Sequence, residues 1–469
     1  MRVTNSMLSN SMLLNINRNM KAIDKLYGQI STAKKIQTPS DDPIVSARAL
    51  KFRANVSNVE QYNRNVSQGM AWMDVTEGAY NNVIDIMKSI KDRCIEGANG
   101  TLESVDRQAV AVQIRQMAEQ LGDEMNVAYA GRYVFSGFRT NEPPVFAMAS
   151  EKRYLISQTL ASHDIETTKS YQKLGSAEPP LTFSSNIAKL PYSSSATDLE
   201  VDGFTVIAAK KVDALTVGGF NPYDSASIPP GSIVFIEDTG ELIISDSDLA
   251  SLKELRVSYI KDGFEQGELN PKVYFACSEL DENGDEIAKY NMDEQDMAYE
   301  VSVNADVKIN SLACRVYTGQ MFADLVKLCD LLESVELSDE KQLLEKLSND
   351  PYNLSDDELE AVAGKQLSNE KAALSSVLHS RFNNMLEMCD RHISNITREH
   401  TDLGARMNRL DLVQIRLEQD EGSYKKLMSE NEDVDMMEAI MLKANAEAVY
   451  QASLKAGAGI LQMTLSDFI

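Results

Sequence analysis

Basic residues are scarce. Lys and Arg number 46 against 71 Asp and Glu, leaving a net charge of -25 over 469 residues with no compensating basic block. Phosphate contacts need clustered Lys and Arg, so nucleic acid and anionic membrane surfaces are set aside as partners. The negative charge keeps free copies apart in solution and has to be tolerated or screened if they polymerise. Aromatics make up only 7%, with the single Trp at position 72. That is low for a catalytic α/β protein and ordinary for long helices. The five cysteines, Cys94, Cys277, Cys314, Cys329 and Cys389, form no CxxC pair. Neither a disulfide framework nor a zinc site is expected, and Cys94, Cys329 and Cys389 read as small hydrophobes in helical patterns. No run of about 18 apolar residues exists, so no membrane-spanning helix is expected. The opening Met1-Arg2-Val3-Thr4-Asn5-Ser6-Met7-Leu8 lacks a basic stretch followed by an apolar one. The expectation is a chain that stays inside the cell or leaves it without a cleaved signal peptide.

Motifs for chemistry are absent too. There is no HExxH, GxGxxG, Walker loop or GxSxG. His163 stands alone, and His379, His392 and His400 share no i,i+3 or i,i+4 spacing. Asp281, Asn283, Gly284 and Asp285 faintly resemble a calcium loop. With Gly284 sixth, however, Glu279 and Tyr290 fall where Asp and Glu are needed, so a solvated hairpin turn is the better reading. Glu237, Asp238, Asp246 and Asp248 read as solvated surface. No catalytic, cofactor-binding or metal residue is nominated, no cofactor is expected, and the chain is read as not an enzyme.

What the sequence does hold is helical periodicity. Leu13, Ile16, Met20, Ile23, Tyr27 and Ile30 are spaced 3-4-3-4-3, a narrow heptad seam at the N-terminal end. A lone helix of this kind is marginal in water and wants a partner. Pro39, Ser40, Asp41, Asp42 and Pro43 then form a helix joint, with Asp42 as N-cap and Pro43 as first helical residue. A long helix is expected from 43 to 95, with its seam at 45, 49, 52, 56, 59, 63, 66, 70, 73, 77, 80, 84, 87 and 91, stopped by Gly97 and Gly100. A second follows over 102–130, with Val105, Val112, Met117, Leu121, Met125 and Ala128 inward.

From Tyr133 the texture changes to strands and turns. Residues 231–244 read as a hairpin around Asp238-Thr239-Gly240. A strand over Lys272–Cys277 and another at Glu286-Ile287 flank the turn at Asn283-Gly284. Helix returns near 311, with a capping box at Ser355 and Glu358. From 374 a seam runs through Leu374, Leu378, Met385, Cys389, Ile396, Leu403, Met407, Leu410, Leu417, Tyr424 and Met428. Arg381, His392, His400, Gln414 and Glu421 occupy polar slots in it. The final stretch, 434–465, is amphipathic and rich in Ala and Met.

The expected fold is α+β and multidomain: a long antiparallel coiled-coil rod built from both termini, with a β-rich middle domain inserted. Its parts are an N-terminal assembly helix and joint (1–42), the first half of the rod (43–137), the β-rich domain (138–310), the second half of the rod (311–433) and a C-terminal assembly helix (434–469).

Several of these stretches resemble one family. Asn5-Ser6-Met7, the heptad to Ile30 and Thr38-Pro39-Ser40-Asp41-Asp42-Pro43 are similar to the N-terminal region of the flagellin family. Flagellins usually carry an Ala-Asp-Asp-Ala-Ala-Gly-like stretch at this joint. The form here is similar to the branch of the family found at the hook–filament junction. Tyr133-Val134-Phe135-Ser136-Gly137-Phe138-Arg139-Thr140 resembles the exit from that branch's helical domain. Leu403-Gly404-Ala405-Arg406-Met407-Asn408-Arg409-Leu410 resembles the shared C-terminal helix, and the closing Leu465-Ser466-Asp467-Phe468-Ile469 replaces the Leu-Arg with which flagellins commonly end.

The resemblance covers about residues 1–146 and 371–469. It implies a structural subunit of the bacterial flagellum that joins hook to filament. Its terminal helices would be loose in the free chain and would pack into an inner tube on assembly. Its implied partners are flagellin, a hook-side associated protein, further copies of itself in a ring, an export chaperone and the flagellar type III export apparatus. Its implied home is outside the cell.

The accompanying mechanism is folding coupled to assembly, with apolar seams at both ends covered by neighbouring copies. The residues assigned to it are Leu13, Ile16, Met20, Ile23, Tyr27 and Ile30 at one end, and Met437, Met441, Leu454 and Leu461 at the other. Two other readings stay open. A filament flagellin or paralogue would assemble into long filaments alone. A cytoplasmic coiled-coil scaffold would have stably folded ends. An enzyme hidden in the β domain is a distant third.

Overall fold

The computed structural model describes residues 5–98, 104–172, 181–194, 198–210, 221–292, 295–334 and 356–466. The main helices are α1 (Asn5–Thr32), α2 (Pro43–Ala98) and α3 (Ser104–Met125). Three single-turn helices follow, α4 (Asp246–Leu249), α5 (Pro271–Tyr274) and α6 (Ala313–Val316). The last are α7 (Gly319–Ser334), α8 (Asp356–Glu432) and α9 (Met436–Ser466). Among the described residues the strands lie between α3 and α6. The α+β class with long helices at both ends is therefore the observed one.

Packing divides the chain into two units. The first comprises residues 1–67, 300–306 and 410–469, and the second residues 68–299 and 307–409. Both α2 and α8 contribute to each.

In the first unit α1 pairs with α9, and the start of α2 pairs with the end of α8. Asn431 Nδ2 donates to Val45 O at 3.1 Å, and Lys425 Nζ lies 3.6 Å from Glu60 Oε1, so α2 and α8 run antiparallel. The capping predicted for α2 holds: Ile44 N and Val45 N donate to Asp42 Oδ1 at 3.0 and 3.1 Å. Asp41 caps the turn before it, its carboxylate accepting from Gln37 N and Thr38 N. These backbone donors hold its pKa below the ordinary aspartate value.

In the second unit α2 and α8 are again antiparallel. Lys91 pairs with Asp390 at 2.5 Å, and the Tyr80 ring stacks on His400 with centroids 5.7 Å apart. The buried seam departs from the sequence reading here. Met73, Tyr80 and Met87 are inward as expected, but their companions are Gly69, Thr76, Val83, Ile90 and Cys94. The expected Met70, Glu77, Ile84 and Lys91 are only half-buried. Thr76 fits inside because its hydroxyl donates to Trp72 O, at 2.9 Å within its own helix. Gly97 does not stop α2. A Cβ there would lie 2.6 Å from Phe382 Cζ, so the glycine makes room for a ring of α8. Helix α3 ends at Met125 and not near 130, and Val112 and Ala128 are exposed. Val110, Ala111 and Ile114 point inward instead. The capping box at Ser355 and Glu358 and the side chain of Leu374 lie outside the described residues.

Two five-stranded sheets form the β part. The first, in order β12 (Glu286–Tyr290), β11 (Ala276–Leu280), β3 (Ser150–Ala161), β10 (Glu254–Phe264), β6 (Leu199–Val201), is antiparallel. The second runs β4 (Glu166–Gln172), β5 (Leu181–Lys189), β9 (Glu241–Ile244), β8 (Ser232–Ile236), β7 (Thr205–Ala209), with only β7 and β8 parallel. The β8–β9 hairpin turns through Gly240 at φ +69°, a conformation that favours glycine. Residues 271–274 form the turn of α5, so the strand expected over 272–277 begins only at Ala276. Its hairpin turn is held by Asp281 Oδ1, which accepts from Asn283 N at 2.9 Å and Asp285 N at 2.8 Å. That carboxylate serves an Asx turn. Side chains of α8 cover the open edge of β4: Asn384 donates to Thr167 O and Arg381 to Lys169 O.

Candidate assembly face

The terminal helices pair antiparallel inside one chain. Asn19 Nδ2 donates to Ser453 Oγ at 3.2 Å, and Tyr27 Oη donates to Glu447 Oε1 at 3.1 Å. Lys443 Nζ sits 4.2 Å from the Tyr27 ring centroid. At the far end a Cβ on Gly457 would lie 2.6 Å from Met12 Cε, so the missing side chain lets the helices approach.

The face of α1 turned to α9 is Met12, Ile16, Asn19, Ile23, Leu26 and Ile30, spaced 4-3-4-3-4. Of the predicted residues, Ile16, Ile23 and Ile30 are on it. Leu13 and Met20 lie one position away and are exposed, and Tyr27, though half exposed, reaches α9 through Glu447 and Lys443. The facing positions of α9 are Ala439, Lys443, Ala446, Glu447, Tyr450, Ser453 and Gly457, mostly small or polar. The predicted Met437, Met441 and Leu454 point outward, and the side chain of Leu461 lies outside the described residues.

The α9 side of the contact is thus mostly small or polar and the α1 side mostly apolar, while further large apolar residues of both helices are left outside. Leu14 is 70% exposed, Met437 75% and Met441 61%. Met7, Ile440, Leu442 and Val449 are exposed as well. Scattered apolar residues on a surface need no explanation, but a dozen on two paired helices make this surface the candidate interaction face.

Where the terminal pair meets α2 and α8 there is a cluster that hydropathy reading missed. The chain crosses this level twice, at 33–42 and at 433–435. Lys35 N donates to Glu432 O at 2.7 Å and Val434 N to Ala33 O at 3.0 Å, forming a one-residue bridge between Lys34 and Asp433. Glu432, with 2% of its surface exposed, accepts a bidentate contact from Arg53, Nε at 2.8 Å and Nη2 at 2.5 Å. Lys34 Nζ adds 3.4 Å to Glu432 and 2.5 Å to Asp433. The Arg53 hydrogen bond holds the Glu432 pKa below its ordinary value, and the Lys34 hydrogen bond does the same for Asp433. Asp435 caps α9 by accepting from Met437 N at 2.9 Å.

Parts of the chain are similar to known proteins. Residues 3–140 match the family model for the bacterial flagellin N-terminal helical region. A phase 2 flagellin of Salmonella typhimurium is 23% identical over 261 residues, 53% of this chain and 48% of that protein. Flagellar hook-associated protein 3 of the same organism is 27% identical over 148 residues, 31% of this chain and 46% of that protein. The chain therefore spans about half the length of the curated relatives it matches. The crystal structure of flagellar hook associated protein-3 from Legionella pneumophila superposes with a TM-score of 0.33 at 14% identity, over 81% of this chain and 96% of that one. Over its residues 3–140 the chain is similar to the N-terminal helical region of the bacterial flagellins.

Proposed function

We propose that the chain is a structural subunit of the bacterial flagellum that sits at the junction between hook and filament. It would assemble with flagellin on one side, a hook-side associated protein on the other and copies of itself in a ring. Delivery by an export chaperone and the flagellar type III apparatus follows from this reading, as does a place outside the cell. The role is mechanical and needs no catalytic residue.

The observation that carries the reading is the outward apolar face of α1 and α9. The intrachain pair uses one apolar stripe of α1 against mostly small or polar positions of α9, so the remaining large apolar side chains await cover from neighbours. Burying them would supply roughly 25 cal/mol per Å² toward assembly. A cell lacking its own copy and supplied with the Met20→Asp, Met441→Asp variant tests this. The variant is expected to be made with its β sheets intact and to be missing from the flagellum. Normal incorporation would defeat the reading. A filament flagellin is the second reading, favoured by the longer match to the phase 2 protein. Purified chain that grows long filaments unaided would establish it.

A further inference from the structure

Both crossings between the terminal pair and the α2–α8 pair are short and non-helical. One begins at Ala33, whose φ of +55° is strained for a residue with a Cβ. Each helix restarts with its own cap, at Asp42 and at Asp435, so neither crossing inherits direction from a continuous helix. What ties them is the bridge between Lys34 and Asp433 together with the side chain of Glu432. That single buried carboxylate collects partners from two separate stretches, Lys34 after α1 and Arg53 on α2, while itself ending α8.

We infer that Glu432 is a latch that sets the angle at which the terminal helix pair leaves α2 and α8. It is a positioning residue, because it lies away from the apolar face and acts on where that face is aimed. The assignment goes beyond the flagellar reading and stands on the geometry of the crossing alone. The latch is asymmetric. Arg53 and Lys34 keep 59% and 37% of their side-chain surface in water and can be rehydrated if Glu432 is lost. Glu432 cannot, so loss of Arg53 leaves a buried anion with one remaining cation. The angle should therefore be disturbed more by Arg53→Ala than by Glu432→Gln.

The test uses the full chain with spin labels on introduced keto amino acids at Ser423 of α8 and Ala444 of α9, both exposed, and pulsed dipolar distances. Keto labels leave the native cysteines untouched. The intact chain is expected to give one narrow distance. Glu432→Gln should at least double its width, Arg53→Ala should widen it further, and both should keep the helix content seen by circular dichroism. The exchange Arg53→Glu with Glu432→Arg should narrow it again. A broad distribution in the intact chain, or an unchanged width in Glu432→Gln, would overturn the latch. So would loss of helix content in step with the broadening, which would make Glu432 a plain stability residue.

Discussion

The β8–β9 hairpin and the α1–α9 pair are both antiparallel and both rich in apolar residues, yet they use them in opposite ways. In the hairpin Ile233, Val234, Phe235, Ile236, Leu242, Ile243 and Ile244 are fully buried. In the terminal pair Met12, Ile16, Ile23, Leu26 and Ile30 of α1 meet mostly small or polar positions of α9, such as Ala439, Ser453 and Gly457, and many other large side chains face out. One region is finished within the chain. The other is closed only enough to hold two helices together. Apolar content alone does not separate them; the position of each side chain relative to its partner does.

The comparison can be broken by truncation. Phe235→Ala should cost about 3–5 kcal/mol in denaturant unfolding, as for a fully packed aromatic. Met441→Ala should stay within about 0.5 kcal/mol. Equal costs would mean that the terminal face is already covered. Gly97→Ala tests close packing within the second unit. Its methyl meets the Phe382 ring, so a loss of about 1–3 kcal/mol is expected despite the better helix propensity of Ala. Phe382→Leu should recover part of it.

Acid should act on the terminal region through Glu432. Its folded-state pKa is depressed, so the stabilisation is complete above the ordinary glutamate value of 4.5 and disappears as pH falls through the folded value. Hydrogen exchange at Lys35 N and Val434 N should rise over that window. Glu432→Gln should flatten the change, which is the smallest of these effects.

Much of this was readable in advance where local chemistry decides. Asp42 before Pro43, the turn at Gly240 and the Asn283-Gly284 turn all declare themselves by backbone demands. The seams were readable only in part. Ile16, Ile23 and Ile30 fall on both the predicted and the observed faces of α1. Between them, apolar character favours Leu13 and Met20, whereas the partner helix takes Met12, Asn19 and Leu26; the expected Tyr27 does reach α9, from the rim of the contact. Asn19 is inward because Ser453 accepts its amide hydrogen bond, and Thr76 is inward because its hydroxyl bonds its own helix. Neither reason is visible to hydropathy. The cluster at Glu432 escaped because its members are 379 and 398 positions from their partners, Arg53 and Lys34.

The central claim is that the outward face of α1 and α9 becomes covered on assembly. Oxidative footprinting of methionine, read by mass spectrometry on the free and the assembled chain, tests it most directly. Met7, Met20, Met437 and Met441 are exposed, while Met73 and Met87 are fully buried and serve as internal references. The account predicts that the first four oxidise readily in the free chain and are protected in the assembly, with Met73 and Met87 protected in both. Equal oxidation of Met20 and Met441 in both states would contradict it.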